Sequence, residues 1–233
     1  MNVAKPVRHT FDTRAALASA LAGTIAAQLE DAIETRGSAT LAVSGGTTPA
    51  RMFDVLSRAE IDWSRVTATL VDERFVPPDS PRSNAKLVRE KLLQNEAGQA
   101  DFLPLYSPAP SAEEAASTAD NALHQLTEPF DVVVLGMGAD GHTASFFPDA
   151  AELETLLDPH TQRLVAAVNA PSAGEPRLTL TLPPIASARF LALHIEGAEK
   201  KTALDAALAA KSRLPIRRVI DAAQSPVEIF WAE

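Results

Sequence analysis

Phe130-Asp131-Val132-Val133-Val134-Leu135-Gly136-Met137-Gly138-Ala139-Asp140-Gly141-His142 joins an apolar run to a glycine-rich, charged loop. Three consecutive valines leave no polar alternation, so Phe130–Leu135 predicts a strand buried on both faces. The loop that follows ends on a histidine beside a carboxylate. A buried strand running into such a loop is the elementary unit of a parallel α/β sheet, which presents its ligands at the carboxyl ends of its strands.

The same unit recurs on either side. Upstream, Ala39–Val43 is a short apolar strand that opens into Ser44-Gly45-Gly46-Thr47-Thr48-Pro49, with Pro49 suited to the first turn of a helix through Arg58. Val66–Val71 is a second strand and runs into Asp72-Glu73-Arg74. Further strands are expected at Leu164–Val168, Leu178–Leu182, Phe190–Ile195 and Val227–Trp231. Leu17, Leu21, Ile25, Leu29 and Ile33 recur every four residues and predict a helix from Arg14 to Thr35, with Asp12 as N-cap and Gly37 as stop. Ser83 caps a helix toward Gln94, Ser111 opens a capping box for one toward Leu126, and Glu199 begins one toward Ala210. The stretch 149–176 reads as a mobile loop over the carboxyl ends. The expected fold class is α/β: a mostly parallel sheet with helices on both faces, Rossmann-like and open three-layer, in one domain over residues 1–233.

Composition bounds the function. Of 233 residues, 46% are hydrophobic and none is cysteine, which excludes disulfides, thiolate metal sites and a cysteine nucleophile. Lys plus Arg number 21 against 30 Asp plus Glu, a net charge of −9. That balance argues against nucleic acid and against anionic lipid as partners. No apolar run approaches the ~18 residues of a membrane span, and the N-terminus shows no secretory h-region. A cytoplasmic protein is expected, and a monomer.

Three loops carry candidate chemistry. In Ser44–Pro49 the glycines allow close approach of an anion, and Thr47 and Thr48 add hydroxyls; a plain strand-to-helix turn is equally consistent. No lysine follows the glycines, so the loop is not a Walker motif. Asp72-Glu73-Arg74 reads either as solvated charge at a strand end or as a carboxylate and a cation facing a cleft. His142 can move a proton near neutral pH, and Asp140 can set its tautomer. The Gly136-x-Gly138 spacing lacks the third glycine of a dinucleotide site. Ser44, His142 and Asp72 would make a hydrolase triad, but Ser44 lacks the nucleophile elbow. Lys200, after Gly197-Ala198-Glu199, and Arg177 are cations able to meet a phosphate or a developing oxyanion. His9, His124, His160 and His194 read as structural or solvated, and no His-x-x-x-His spacing supports a metal.

Taken in order, Ser44–Pro49, Val71–Pro77, Ser83-Asn84, Leu135–Pro148, Arg177–Thr181 and Gly197–Lys200 resemble the glucosamine-6-phosphate isomerase/6-phosphogluconolactonase superfamily, and more closely its lactone-hydrolysing branch. The resemblance implies hydrolysis of a six-carbon sugar-phosphate lactone, 6-phospho-D-glucono-1,5-lactone, with no cofactor and no metal. It implies phosphate binding by Gly45, Gly46 and Thr47 with Arg74, Arg177 and Lys200, a general base at His142, and Asp72 and Asp140 lining the site. The isomerase branch carries an acidic residue shortly after its histidine, where this chain has Phe146-Phe147-Pro148. A sugar-phosphate sensor is the remaining alternative; such regulators also need a DNA-reading module, for which this acidic chain leaves no room.

Overall fold

The computed structural model describes residues 5–126 and 129–233; the first four residues of the N-terminal stretch read above lie outside them. In chain order the elements begin with β1 (Val7–Phe11), α1 (Arg14–Arg36), β2 (Ala39–Val43), α2 (Ala50–Leu56), β3 (Val66–Leu70) and β4 (Asp72–Arg74). They continue with α3 (Asn84–Lys91), β5 (Asp101–Leu103), α4 (Ala112–Leu123), β6 (Val132–Leu135), α5 (Leu153–Leu156) and β7 (Val165–Val168). The last are β8 (Arg177–Leu180), α6 (Leu182–Ala186), β9 (Phe190–Glu196), α7 (Ala198–Leu208), α8 (Pro215–Ala222) and β10 (Val227–Ala232).

Seven strands form one sheet in the order β1-β10-β9-β6-β2-β3-β5. Every pairing in it is parallel. Side chains alternate between the faces of a strand, yet every residue of β2 and β6 is buried, so both faces of the sheet centre are covered. The apolar runs of the sequence follow from that burial. Leu17, Leu21, Ile25 and Leu29 of α1 are fully buried, and α1 packs on β2, β6 and β10.

Several expectations change. The cap of α1 is Thr13, whose Oγ1 accepts from Ala16 N, and not Asp12; Gly37 ends the helix in the left-handed region as expected. The second strand ends at Leu70. Val71 donates its N–H to Val43 of the large sheet, while its carbonyl accepts from Leu180. The chain thereby changes sheets, and β4 joins a separate antiparallel sheet in the order β4-β8-β7. The expected strand Leu178–Leu182 stops at Leu180 because Pro183 and Pro184 open the short helix α6. Within the stretch 149–176, read as a mobile loop, the expected strand is β7, and α5 and a single 3-10 turn at Pro171–Ala173 add further structure. Strand β1 and helix α8 were not expected from the sequence.

Candidate active site

A cavity of about 420 Å³ opens at the carboxyl ends of β2, β6 and β9 and is walled on one side by β4 and β8 of the small sheet. Gly45, Gly46 and Thr47 line it, as do Asp72, Arg74 and His142; so do Arg177 and Lys200. Asp140 does not line it, and its side chain contacts His142 instead.

The Asp140–His142 loop closes tightly on itself. Gly138 N donates to His142 O at 2.8 Å, and Gly141 N donates to Gly138 O at 3.1 Å with Gly141 at φ +79°. That turn brings Asp140 Oδ1 to 2.6 Å from His142 Nδ1, and the same oxygen accepts from His142 N at 3.2 Å. A carboxylate only accepts, so Nδ1 carries the proton and Nε2 keeps its lone pair. Gly138 is required for space: a Cβ there would stand 2.2 Å from His142 Nδ1 and 2.4 Å from Asp140 Oδ1. Sequence reading left the contact between these neighbours open; the two glycines make it.

The other loops are tied to this one. Ser44 Oγ accepts from Gly136 N at 3.0 Å, joining the glycine loop to the histidine loop. Asp72 Oδ2 accepts from Ser145 Oγ at 2.7 Å, so Asp72 links the small sheet to the same loop. Asn84 donates to the Asp72 carbonyl at 2.9 Å, and its amide fills the space a Cβ on Gly45 would need.

Glu73, in the trio read either as solvated charge or as facing a cleft, is fully buried and does not line the cavity. Its Oε1 accepts from Arg74 N and Asn84 N, and its Oε2 from Ala85 N and Ser83 Oγ, at 2.7–3.0 Å. Burial pushes its carboxyl above the usual carboxylate range, and those four donors pull it back. Glu73 therefore caps α3 and fixes β4 against it. The signal was weak because three of its four donors, Ser83 Oγ, Asn84 N and Ala85 N, lie ten to twelve residues on.

The small sheet supplies the positive field. Arg74 and Arg177 stand directly opposite each other in the β4–β8 register. Like charges so placed repel. Both Nε atoms are buried without a hydrogen-bond partner among the described residues. Burial, with the neighbouring Arg74 and Arg82, lowers the Arg177 guanidinium below its ordinary value, although Asp72 opposes the shift. Glu175 pairs with Arg82 and, at 3.5 Å, with Arg177 Nη2. Lys200, in the first turn of α7, has no ion pair among the described residues. Half-buried cations with donors left unfilled are able to meet an anion.

His194 of β9 also lines the cavity, a placement the sequence did not suggest. It is 3% exposed, and neither ring nitrogen has a hydrogen-bond partner among the described residues, the Glu196 carboxylate lying 3.5 Å from Nε2. Burial pushes its imidazole down to about 4 from 6.5. The neutral form thus stabilises the fold above pH 6.5, and that contribution is lost as pH falls from 6.5 toward 4. Between pH 7 and pH 5 the loss is about 2 kcal/mol. In urea denaturation at those two pH values, His194→Leu should lower the pH dependence by that amount relative to the parent.

A parallel α/β sheet with a histidine–carboxylate pair and a cationic wall at its carboxyl ends defines an α/β enzyme. Residues 12–231 match the family described as glucosamine-6-phosphate isomerases/6-phosphogluconolactonase, and the chain belongs to it. A 6-phosphogluconolactonase of Mesorhizobium japonicum is 59% identical over 224 residues, 96% of this chain and 94% of that one. One of Rhizobium meliloti is 53% identical, over 96% and 97%. Among solved structures, a 6-phosphogluconolactonase from Shewanella baltica superposes with a TM-score of 0.95 at 45% identity, covering 99% of each chain. A monomeric glucosamine-6-phosphate deaminase shares the fold at a TM-score of 0.80 and 17% identity. The sequence resemblance and the parallel α/β expectation are both borne out.

Proposed function

We propose that the chain hydrolyses 6-phospho-D-glucono-1,5-lactone to 6-phospho-D-gluconate, with His142 as general base. The observation that carries this reading is the hydrogen bond from His142 Nδ1 to Asp140, which leaves Nε2 as the proton acceptor in a cavity walled by desolvated guanidinium groups.

Neutral water attacks a lactone carbonyl slowly. His142 Nε2 takes a proton from that water as it adds to C1, and Asp140 stabilises the imidazolium that forms. Positive charge in the cavity stabilises the tetrahedral oxyanion. The imidazolium then returns its proton to the ring oxygen as the C1–O bond breaks. Atoms balance with one water consumed and no covalent intermediate. Side-chain occupancy supports the last point: Ser44 Oγ is engaged by Gly136 N and Ser145 Oγ by Asp72, and the chain has no cysteine.

Gly45, Gly46 and Thr47 hold the phosphate at one end of the cavity, with Lys200, Arg74 and Arg177 supplying charge there and near C1. Binding the remote phosphate positions the ring for attack. His142 contacts Asp140 and Phe147, with no second carboxylate beside the ring among the described residues, which favours hydrolysis over the sister isomerisation.

Lys200→Met tests the phosphate assignment. It should raise KM for the phospholactone by about 10–100-fold, the worth of one charge-assisted contact. Hydrolysis of unphosphorylated glucono-1,5-lactone should stay within twofold. An equal loss on both substrates would contradict the assignment.

A further inference from the structure

The Phe147 ring touches two groups that the proposed reaction uses at different points of the substrate. Its centroid lies 4.6 Å from that of the His142 imidazole, tilted by 34°. The Arg177 guanidinium carbon lies 5.4 Å from the same centroid. Among the described residues no other aromatic ring contacts both a histidine and an arginine. His142 belongs to the loop after β6 of the large sheet, and Arg177 to β8 of the small one. The ring is therefore a support shared between the two sheets at the cavity.

The local chain explains how the ring reaches that place. Ala144 sits at φ +49°, in the left-handed region that a side chain rarely adopts. Phe146 N then donates to Thr143 O, and the Phe146 ring enters the core fully buried. The next residue points the other way, and Phe147 lines the cavity at 5% exposure. Arg177 needs such a support. Its Nη2 donates to Ala173 O at 3.0 Å and lies 3.5 Å from Glu175 Oε1, but its Nε has no partner among the described residues and Arg74 stands directly across the sheet. An aromatic face attracts a desolvated guanidinium and resists that repulsion.

The geometry points to Phe147 as a positioning residue that fixes the spacing between the proton-accepting imidazole and the anion-binding guanidinium. This rests on the hydrolytic reading above. It departs from a plain core role, in which any side chain of similar volume would serve. Because reacting groups misplaced by ~1 Å cost on the order of 100-fold, the ring should show in kcat and KM together.

Phe147→Met stays apolar and unbranched at slightly smaller volume and loses the aromatic face, Phe147→Leu serves as a second non-aromatic variant, and Phe147→Tyr keeps the ring. Each is assayed for kcat and KM on enzymatically generated phospholactone, with the thermal midpoint measured alongside. The expected result for the non-aromatic variants is a fall in kcat and a rise in KM, each about 3–10-fold, at a midpoint within a few degrees of the parent. The tyrosine variant should restore both constants to within about threefold. A folded Met or Leu variant with both constants within twofold of the parent, or with a lowered midpoint alone, would overturn the inference. So would a tyrosine variant as impaired as the methionine one. A parent chain that does not hydrolyse the lactone would instead overturn the parent reading, and this inference with it.

Discussion

Replacing His142 by alanine should lower kcat for lactone hydrolysis by about 1,000-fold, the central value for loss of a positioned general base. The change in KM should be small, because the phosphate contacts lie elsewhere. Stability should hardly move, since the imidazole is one-third exposed and its one hydrogen-bonded side-chain partner, Asp140, is exposed as well. Asp140→Asn should give an intermediate loss, about 10–100-fold, because an amide can present its NH2 to Nδ1 and turn the wrong nitrogen toward water. The measurement is initial rate against the spontaneous opening of the lactone, at several substrate concentrations. Equal activity in the parent and His142→Ala would remove the histidine from its role.

Glu73→Ala should produce the largest loss of stability, about 3–5 kcal/mol. Three backbone N–H groups and the Ser83 hydroxyl converge on this carboxylate, and alanine leaves all four without an acceptor. The first turn of α3 and the end of β4 would lose their link. Asn84 would follow, and with it the amide that packs against Gly45. Activity should therefore fall as well as stability, although Glu73 does not line the cavity. Glu73→Gln should recover only part of the loss, because its NH2 would face backbone donors. Urea denaturation and kcat/KM on the folded protein check both effects. A shift below 1 kcal/mol would contradict the capping role.

What the sequence disclosed and what it hid follow from how local each signal is. β2 and β6 were legible because burial on both faces demands an unbroken apolar run. Ser83 and Ser111 were legible as caps because each accepts from a backbone N–H three residues on. The small antiparallel sheet was not. Val71 looks like one more apolar residue of β3, and its change of sheet depends on Leu180, more than a hundred residues later. β1 was missed because it lies at the sheet edge with its side chains largely exposed, so no apolar run marks it. The cue for α8 was present in Pro215, Ile216, Val219 and Ile220, which are buried at helical spacing.

At the site the same contrast holds. The glycine loop, the histidine loop and the cations could be picked out singly, and their order carried the family resemblance. Their joining could not. Ser44 to Gly136 and Asp72 to Ser145 are contacts across 92 and 73 residues. Glu73 appeared as the middle of three charges, and nothing nearby distinguished it from its exposed equivalents. Arg177 was one cation among several until the β4–β8 register set it against Arg74.

The most direct test of the account is turnover of the phospholactone itself. The substrate is generated in place by a coupled dehydrogenase, and its disappearance is followed with and without the protein, beside a parallel assay on glucosamine 6-phosphate. Acceleration well above the spontaneous rate, absent in His142→Ala, with no turnover of the amino sugar phosphate, is the expected result. No acceleration of lactone opening by the folded parent protein would contradict the account.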